Sequence, residues 1–229
     1  MIESIPLFIL SYLIGAIPTS ILVGKIYKRI DIRDYGSGNA GATNTFRVLG
    51  KKAGVIVMIV DVGKGFTASF FIPKISIFRF IGTWLGTSSP SGINVGTIVP
   101  IICLCSAVVG HMFPLFARFK GGKGVGTGAG GIFGLHPLAA SVCLLTFLLT
   151  LFVSGYVSLS SIIAACMLPV VSLVVMLVRG NGIDIAWMVF SILIGALIIG
   201  MHRTNLQRLL RGEESRFEKM RLFKRKKDK

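Results

Sequence analysis

Apolar residues run along this chain in long blocks, separated by short polar stretches rich in glycine, lysine and arginine. A helix that crosses a bilayer needs about 20 mostly apolar residues. The blocks at 4–25, 53–73, 95–117, 157–178 and 184–201 meet that requirement and predict spanning helices. The block at 122–153 is longer and is interrupted by Leu135-His136-Pro137. Proline suits the position after a helix end and also the first turn of a new helix. This block therefore reads either as one segment or as two, roughly 123–135 and 137–153.

Charge decides between them. Cytoplasmic loops collect Lys and Arg near the helix ends. The basic loops are Lys25–Arg33, Arg47–Lys52, Arg118–Lys123 and everything after Met201, whereas 74–94 and 179–183 are sparse. All the basic loops fall on one side only if 122–153 crosses twice. The predicted fold is an all-α polytopic integral membrane protein of about seven transmembrane helices. Its N-terminus and residues 84–92 lie outside and its C-terminus is cytoplasmic. The first helix of the broken pair, about 12 residues, is too short to span alone and is expected to be buried against its neighbours. Residues 1–214 form a single membrane-embedded domain, and 215–229 a basic cytoplasmic tail. Met1–Glu3 carries no basic residue, so Ser4–Lys25 is expected to be a membrane helix rather than a cleavable signal.

Composition agrees with a bilayer setting. Hydrophobic residues make up 53% of the 229 positions and charged residues 15%, and the mean hydropathy is +0.79. The net charge is +16, and 11 of the 25 Lys and Arg lie between Arg203 and Lys229. On so apolar a chain that charge implies anionic membrane lipid as partner, not nucleic acid. Cys103, Cys105, Cys143 and Cys166 sit inside apolar runs, match no metal spacing and read as packing residues.

Three polar motifs share the predicted cytoplasmic face. The first is Gly36-Ser37-Gly38-Asn39-Ala40-Gly41-Ala42-Thr43-Asn44, followed by Arg47. Glycines permit backbone conformations in which successive N–H groups form an anion-binding nest, and a guanidinium adds a planar fork for phosphate. The second, Phe119-Lys120-Gly121-Gly122-Lys123-Gly124-Val125-Gly126-Thr127, opens a helix. A helix N-terminus attracts negative charge, and glycines let a phosphate approach the backbone. The spacing is not that of a Walker A loop. Gly122, Gly126, Gly130 and Gly134 also recur every four residues, a pattern of close helix packing. The third motif is His202-Arg203-Thr204-Asn205 with Arg208, Arg211 and Glu214 beyond it. His202 and Asn205 share a helix face and read as functional. The arginines read as a basic face against lipid. Asp61 and Lys64, at i, i+3 inside an apolar block, are expensive there and are either functional or a packing salt bridge. His111 reads as a helix-end residue and His136 as a loop residue. There is no G-x-S-x-G elbow and no His followed five residues later by Asp.

Gly36–Asn44, Asp61-x-x-Lys64-Gly65, Gly110-His111, Lys120–Thr127 and His202–Glu214, in this order over 1–214, resemble the acyl-phosphate:glycerol-3-phosphate acyltransferases. The resemblance implies a bacterial inner-membrane enzyme with its active site facing the cytoplasm. It would transfer a fatty acyl group from acyl phosphate to the 1-hydroxyl of sn-glycerol 3-phosphate, giving lysophosphatidic acid and phosphate, without cofactor or metal. It implies catalytic roles for Ser37, Arg47, His202 and Asn205, and a structural role for Glu214. The substrate-binding set expected from motifs and resemblance together is Gly38, Asn39, Asn44, Lys64, Lys120, Gly121, Gly122, Lys123 and Gly124. Gly126 stands where the family usually has alanine. The alternative reading is a transporter for a phosphorylated solute, with the basic loops as its cytoplasmic gate.

Overall fold

The computed structural model describes residues 5–75, 95–180 and 182–217. The outward loop expected at 84–92 and most of the basic tail lie outside these residues. Among the described residues the regular structure is entirely helical. The helices are α1 (Ile5–Gly15), α2 (Thr19–Lys28), α3 (Ala42–Leu49), α4 (Lys51–Phe66), α5 (Val95–Met112), α6 (Val125–Leu135), α7 (Pro137–Ser154), α8 (Val157–Arg179), α9 (Ile185–Met201) and α10 (Arg203–Leu210).

Among the described residues, five runs are long and apolar enough to cross a membrane: Ile5–Lys28, Lys51–Lys74, Gly96–Ala117, Pro137–Ser154 and Val157–Arg179. Ile185–Met201, joined to α10 by a 57° bend, makes a sixth. The segment at 122–153 is two helices broken at His136, as the charge count requires, and α6 is only 11 residues long. The first span departs from expectation because it breaks at Pro18. Proline has no N–H to continue the ladder, so carbonyls near the end of α1 lose their helical donors. The Ile17 oxygen instead accepts from the Thr19 N–H at 2.9 Å and from Lys64 Nζ at 2.6 Å. The second span keeps going past α4 through a π turn, Thr67–Phe71, and a short 3-10 turn, Ile72–Lys74.

Helix association inside lipid rests on close packing rather than on the hydrophobic effect. The glycines supply it. A methyl on Gly130 would overlap the Val62 carbonyl, and one on Gly65 the Thr127 carbonyl, so α4 and α6 run backbone to backbone. Gly15 and Gly110 do the same for α1 and α5. Gly126 and Gly134 join the α4 contact, whereas Gly122 lies ahead of the helix and packs on His111 and Ala40. Helix α5 forms the axis. Ile101, Leu104, Val108 and Met112 meet Leu168, Met176, Trp187, Phe190 and Ile194 from α8 and α9 in the main core. Cys103 is buried in a second core with Leu7 and Ala107, while Cys166 is exposed.

The two ends of the bundle differ in chemistry. At one end His136 stacks on the buried Trp187, with ring centroids 4.0 Å apart, so it is a packing residue and not a bare loop histidine. There Asp184 caps α9 through the Trp187 N–H at 3.0 Å and accepts the Thr97 hydroxyl at 2.6 Å. The polar motifs gather at the other end.

Candidate active site

The first motif is built around Asn44, whose side chain is fully buried. Its Nδ2 donates to the carbonyls of Ile32 (3.0 Å) and Tyr35 (2.9 Å), and its Oδ1 accepts the Ser37 N–H (2.9 Å). One amide thus folds the loop 32–37 over the start of α3. Gly36 and Gly38 both have positive φ, 63° and 73°, which an L side chain rarely adopts. The polar atoms of the Asn44 side chain are thus all engaged by the loop, and Asn44 shapes it. Ser37 and Gly38 are exposed and Asn39 half-buried, and the Ser37 hydroxyl makes no hydrogen bond to any described residue.

Arg33 joins this loop to the second motif. Asp31 Oδ2 holds the guanidinium at 2.6 Å, and Nη1 donates to the carbonyls of Ala117 (2.9 Å) and Lys120 (3.2 Å). The sequence gives no sign of this beyond a basic residue at the end of a basic loop.

The second motif arrives differently from expectation. The N–H groups of Gly121 and Gly122 are donated to the Met112 (3.0 Å) and His111 (3.1 Å) carbonyls. A Cβ on either would overlap the His111 carbonyl or ring. These glycines let the loop lie flat on the end of α5, with both amides engaged by its carbonyls. Gly124, at φ 79°, begins α6. The amides of Val125, Gly126 and Thr127 just inside it have no helical partner, as at any helix start. Lys120 is exposed. His111 is 8% exposed, wedged between Gly122 and Asp61, with Nδ1 3.7 Å from the Asp61 carboxylate, so it does more than end its helix.

Lys64 and Asp61 resolve as a packing pair. Lys64 Nζ lies 2.7 Å from Asp61 Oδ1 and also reaches the Ile17 carbonyl, and each side chain is about 95% buried. Its donors close a polar contact between the α1–α2 break and α4.

The third motif completes the site. At the α9–α10 corner, His202 places Nδ1 2.8 Å from the Ile198 carbonyl. Nδ1 therefore carries the proton, and Nε2 is left as an acceptor. Burial and the nearby Lys123 charge lower its pKa, so the ring is neutral at pH 7. Lys123 Nζ donates to Asn205 Oδ1. Asn205 Nδ2 donates to Glu214 Oε1 at 2.7 Å, the Ser158 hydroxyl donates to the same oxygen at 2.9 Å, and Arg208 Nε donates to Oε2 at 2.9 Å. Burial pushes the Glu214 carboxyl up, but these hydrogen bonds and the Arg208 charge outweigh it and hold the pKa low. Beyond Glu214, residues 215–217 form a strap against the bundle. Arg47 Nη2 donates to the Ser215 carbonyl at 3.3 Å and stacks on the Phe217 ring, while the Phe217 N–H donates to Gly155 O at 2.9 Å. The packed domain thus continues past 214. Arg208, read from sequence as a lipid-facing residue, belongs to this network, as does Ser158, which no motif singles out.

Lys123, Arg47 and Arg208 therefore stand around one acidic residue, and Lys123 feels the charge of both arginines. The Lys123 ammonium is desolvated and repelled by Arg208 and Arg47, which brings its pKa down to about 8. Such a cluster wants an anion of more than one charge. Among the described residues no group of three or more His, Cys, Asp or Glu is placed to hold a metal ion.

A family model described as glycerol-3-phosphate acyltransferase matches residues 5–212. The chain belongs to that family. A glycerol-3-phosphate acyltransferase of Chlorobium phaeobacteroides (strain BS1) is 43% identical over 239 aligned positions, covering 94% of this chain and 97% of the relative. One of Staphylococcus haemolyticus is 40% identical, covering 93% and 98%. Among solved structures the chain is similar to PlsY (YgiH), an integral membrane glycerol 3-phosphate acyltransferase. Its glycerol 3-phosphate form matches with a TM-score of 0.75 at 37% identity, over 93% of this chain and 95% of that one. The form with lysophosphatidic acid gives 0.74 at 36%. The chain is thus an integral membrane acyltransferase acting in phospholipid biosynthesis, and the transporter reading finds no support.

Proposed function

We propose that this protein transfers a fatty acyl group from acyl phosphate to the 1-hydroxyl of sn-glycerol 3-phosphate, giving lysophosphatidic acid and phosphate. The observation that carries it is the meeting of Arg47, Lys123 and the Asn205–Glu214 pair, from three separate motifs, at one end of the bundle. Both substrates are phosphates, and the cluster keeps a net positive charge after Glu214 is counted.

Lys123 and the open amides at the start of α6 hold one phosphate, and Arg47 supplies a fork for the other. The His202 Nε2 lone pair accepts a hydrogen bond from the glycerol moiety and orients it. The 1-hydroxyl oxygen attacks the acyl carbonyl, and the bond from that carbon to the phosphate oxygen breaks. The hydroxyl proton passes to the departing phosphate, so no protein base is required. Ser37, in the loop shaped by Asn44, donates to the developing oxyanion. Charge grows on that oxyanion and on the phosphate, where fixed donors act most strongly. Positioning two substrates together supplies the rest. The site faces the cytoplasm of a bacterial inner membrane, as the basic loops indicate.

Purified protein in detergent, given acyl phosphate and glycerol 3-phosphate, releases inorganic phosphate and forms the monoacyl product. Turnover with acyl-CoA in place of acyl phosphate, or an absolute need for a divalent cation, overturns this reading.

A further inference from the structure

The second residue of α8 has a role that neither the motifs nor the comparisons assign. We propose that Ser158 is a positioning residue for acyl transfer, setting the Asn205 amide and, through it, the place of the Lys123 ammonium. The inference rests on the function proposed above.

Ser158 is 5% exposed. Its neighbours Ser160 and Ser161 turn their hydroxyls back onto their own helix, to the Tyr156 and Val157 carbonyls at 2.8 and 2.9 Å. Ser158 instead donates across to Glu214 Oε1 at 2.9 Å. The other donors to this carboxylate, Asn205 and Arg208, both ride on α10. Without Ser158, every side-chain donor to this carboxylate would come from α10, and only the backbone contacts of Ser215 and Phe217 would hold the segment beyond it to the rest of the bundle. With it, the carboxylate is tied to a membrane-spanning helix.

The tie matters because an amide has two ends. The carboxylate accepts Asn205 Nδ2, so Oδ1 is the end left facing Lys123, and it accepts the ammonium. A flipped amide would turn its NH2 group toward a cation and its carbonyl toward a carboxylate, both repulsive. Glu214 selects the productive orientation, and Ser158 fixes Glu214. The charged groups around Lys123 are Arg208 from α10, Glu214 just beyond it and Arg47 from α3, with the neutral but titratable His202 at the corner. Losing the oriented Oδ1 removes an acceptor from the protonated amine.

The experiment is steady-state kinetics of wild type and Ser158→Ala in detergent, with glycerol 3-phosphate varied from pH 6.5 to 9 and thermal stability read on the same samples. A transition-state contact would lower kcat, whereas a positioning contact on a ground-state ligand raises KM by roughly three- to tenfold with kcat within about twofold. The alkaline rise in KM should also start about half a pH unit lower, because Lys123 gives up its proton more easily. A stability loss alone, with KM and its pH dependence unchanged, overturns the inference. If the alanine protein does not accumulate, Ser158→Cys, a weaker donor of similar size, is held to the same two criteria. Wild type that does not turn over the two substrates overturns the proposed function itself; wild-type turnover with an unaltered Ser158→Ala profile overturns this inference alone.

Discussion

Lys64 Nζ sits 2.7 Å from Asp61 Oδ1 inside the bundle, with both side chains almost wholly buried. Breaking such a pair strands a charge, at a cost of about 3–5 kcal/mol, whereas replacing both partners by apolar residues is often near neutral. Lys64→Met alone should lower the thermal midpoint sharply. Lys64→Met with Asp61→Leu should recover most of it, since the Ile17 carbonyl keeps its Thr19 donor. Equal damage in the single and double variants would make the pair functional rather than structural.

Lys123 gives the enzyme a pH signature. Its pKa of about 8 means the ammonium is present below that pH and lost above it. A bound phosphate stabilises the charged form, so affinity is full below pH 8 and weakens above. KM for glycerol 3-phosphate should rise as pH climbs from 8 to 9, and Lys123→Arg should abolish the rise. On the acid side KM should rise again near pH 6, where the phosphate gains its second proton. A flat profile in wild type would take Lys123 out of phosphate binding.

Gly121→Ala and Gly122→Ala should cost folded protein and not substrate affinity, because their amides are already bonded and a methyl meets His111. Gly128→Ala serves as the control. Nothing lies within 4 Å of a methyl there, so the helix should gain up to about 1 kcal/mol. Thermal midpoints and KM on the same preparations decide it. A stable Gly121→Ala protein with raised KM would return the glycine to the phosphate.

The spans were readable because period and length are written in the apolar blocks, and because Lys and Arg mark sides. At 122–153 proline offered the break and charge chose it, and the structure has two helices there. The break at Pro18 was not foreseen, since the block 4–25 is uniformly apolar and the Lys64 donor that accommodates the break lies 47 positions away. The site divides in the same way. Arg47, Lys123, His202 and Asn205 stood out by residue type in a polar motif, and Lys123 and Asn205 touch. Asn44, Gly121, Gly122 and Lys64 stood out equally, but type alone does not separate a residue that holds the loop from one that holds the ligand. Ser158 and Arg33 act only through partners distant in sequence.

Arg47→Lys keeps the charge and should still lose at least about tenfold in kcat/KM, because an ammonium cannot both grip phosphate with two prongs and lie on the Phe217 ring. Near-normal turnover would leave Arg47 as a fastener for the strap.

Sidedness is open to a direct test. Single cysteines at Gly182 and Ser215, both exposed and at opposite ends of the bundle, in a background lacking Cys103, Cys105, Cys143 and Cys166, should label from opposite faces of sealed cells. Ser215→Cys should react only after the membrane is breached. Labelling of both from outside would reverse the proposed orientation.

Helices α6 and α7 meet at His136, yet α6 has 11 residues and α7 has 18. At 1.5 Å per residue the shortfall is about 10 Å. On the proposed function, this sets Lys123 at the head of α6 back from the level of Gly155, toward the acyl chains of the surrounding bilayer. A small soluble phosphate has to descend to that level, while a fatty chain can arrive sideways without leaving the lipid. The stunted helix sets a meeting depth for two reactants that share no solvent.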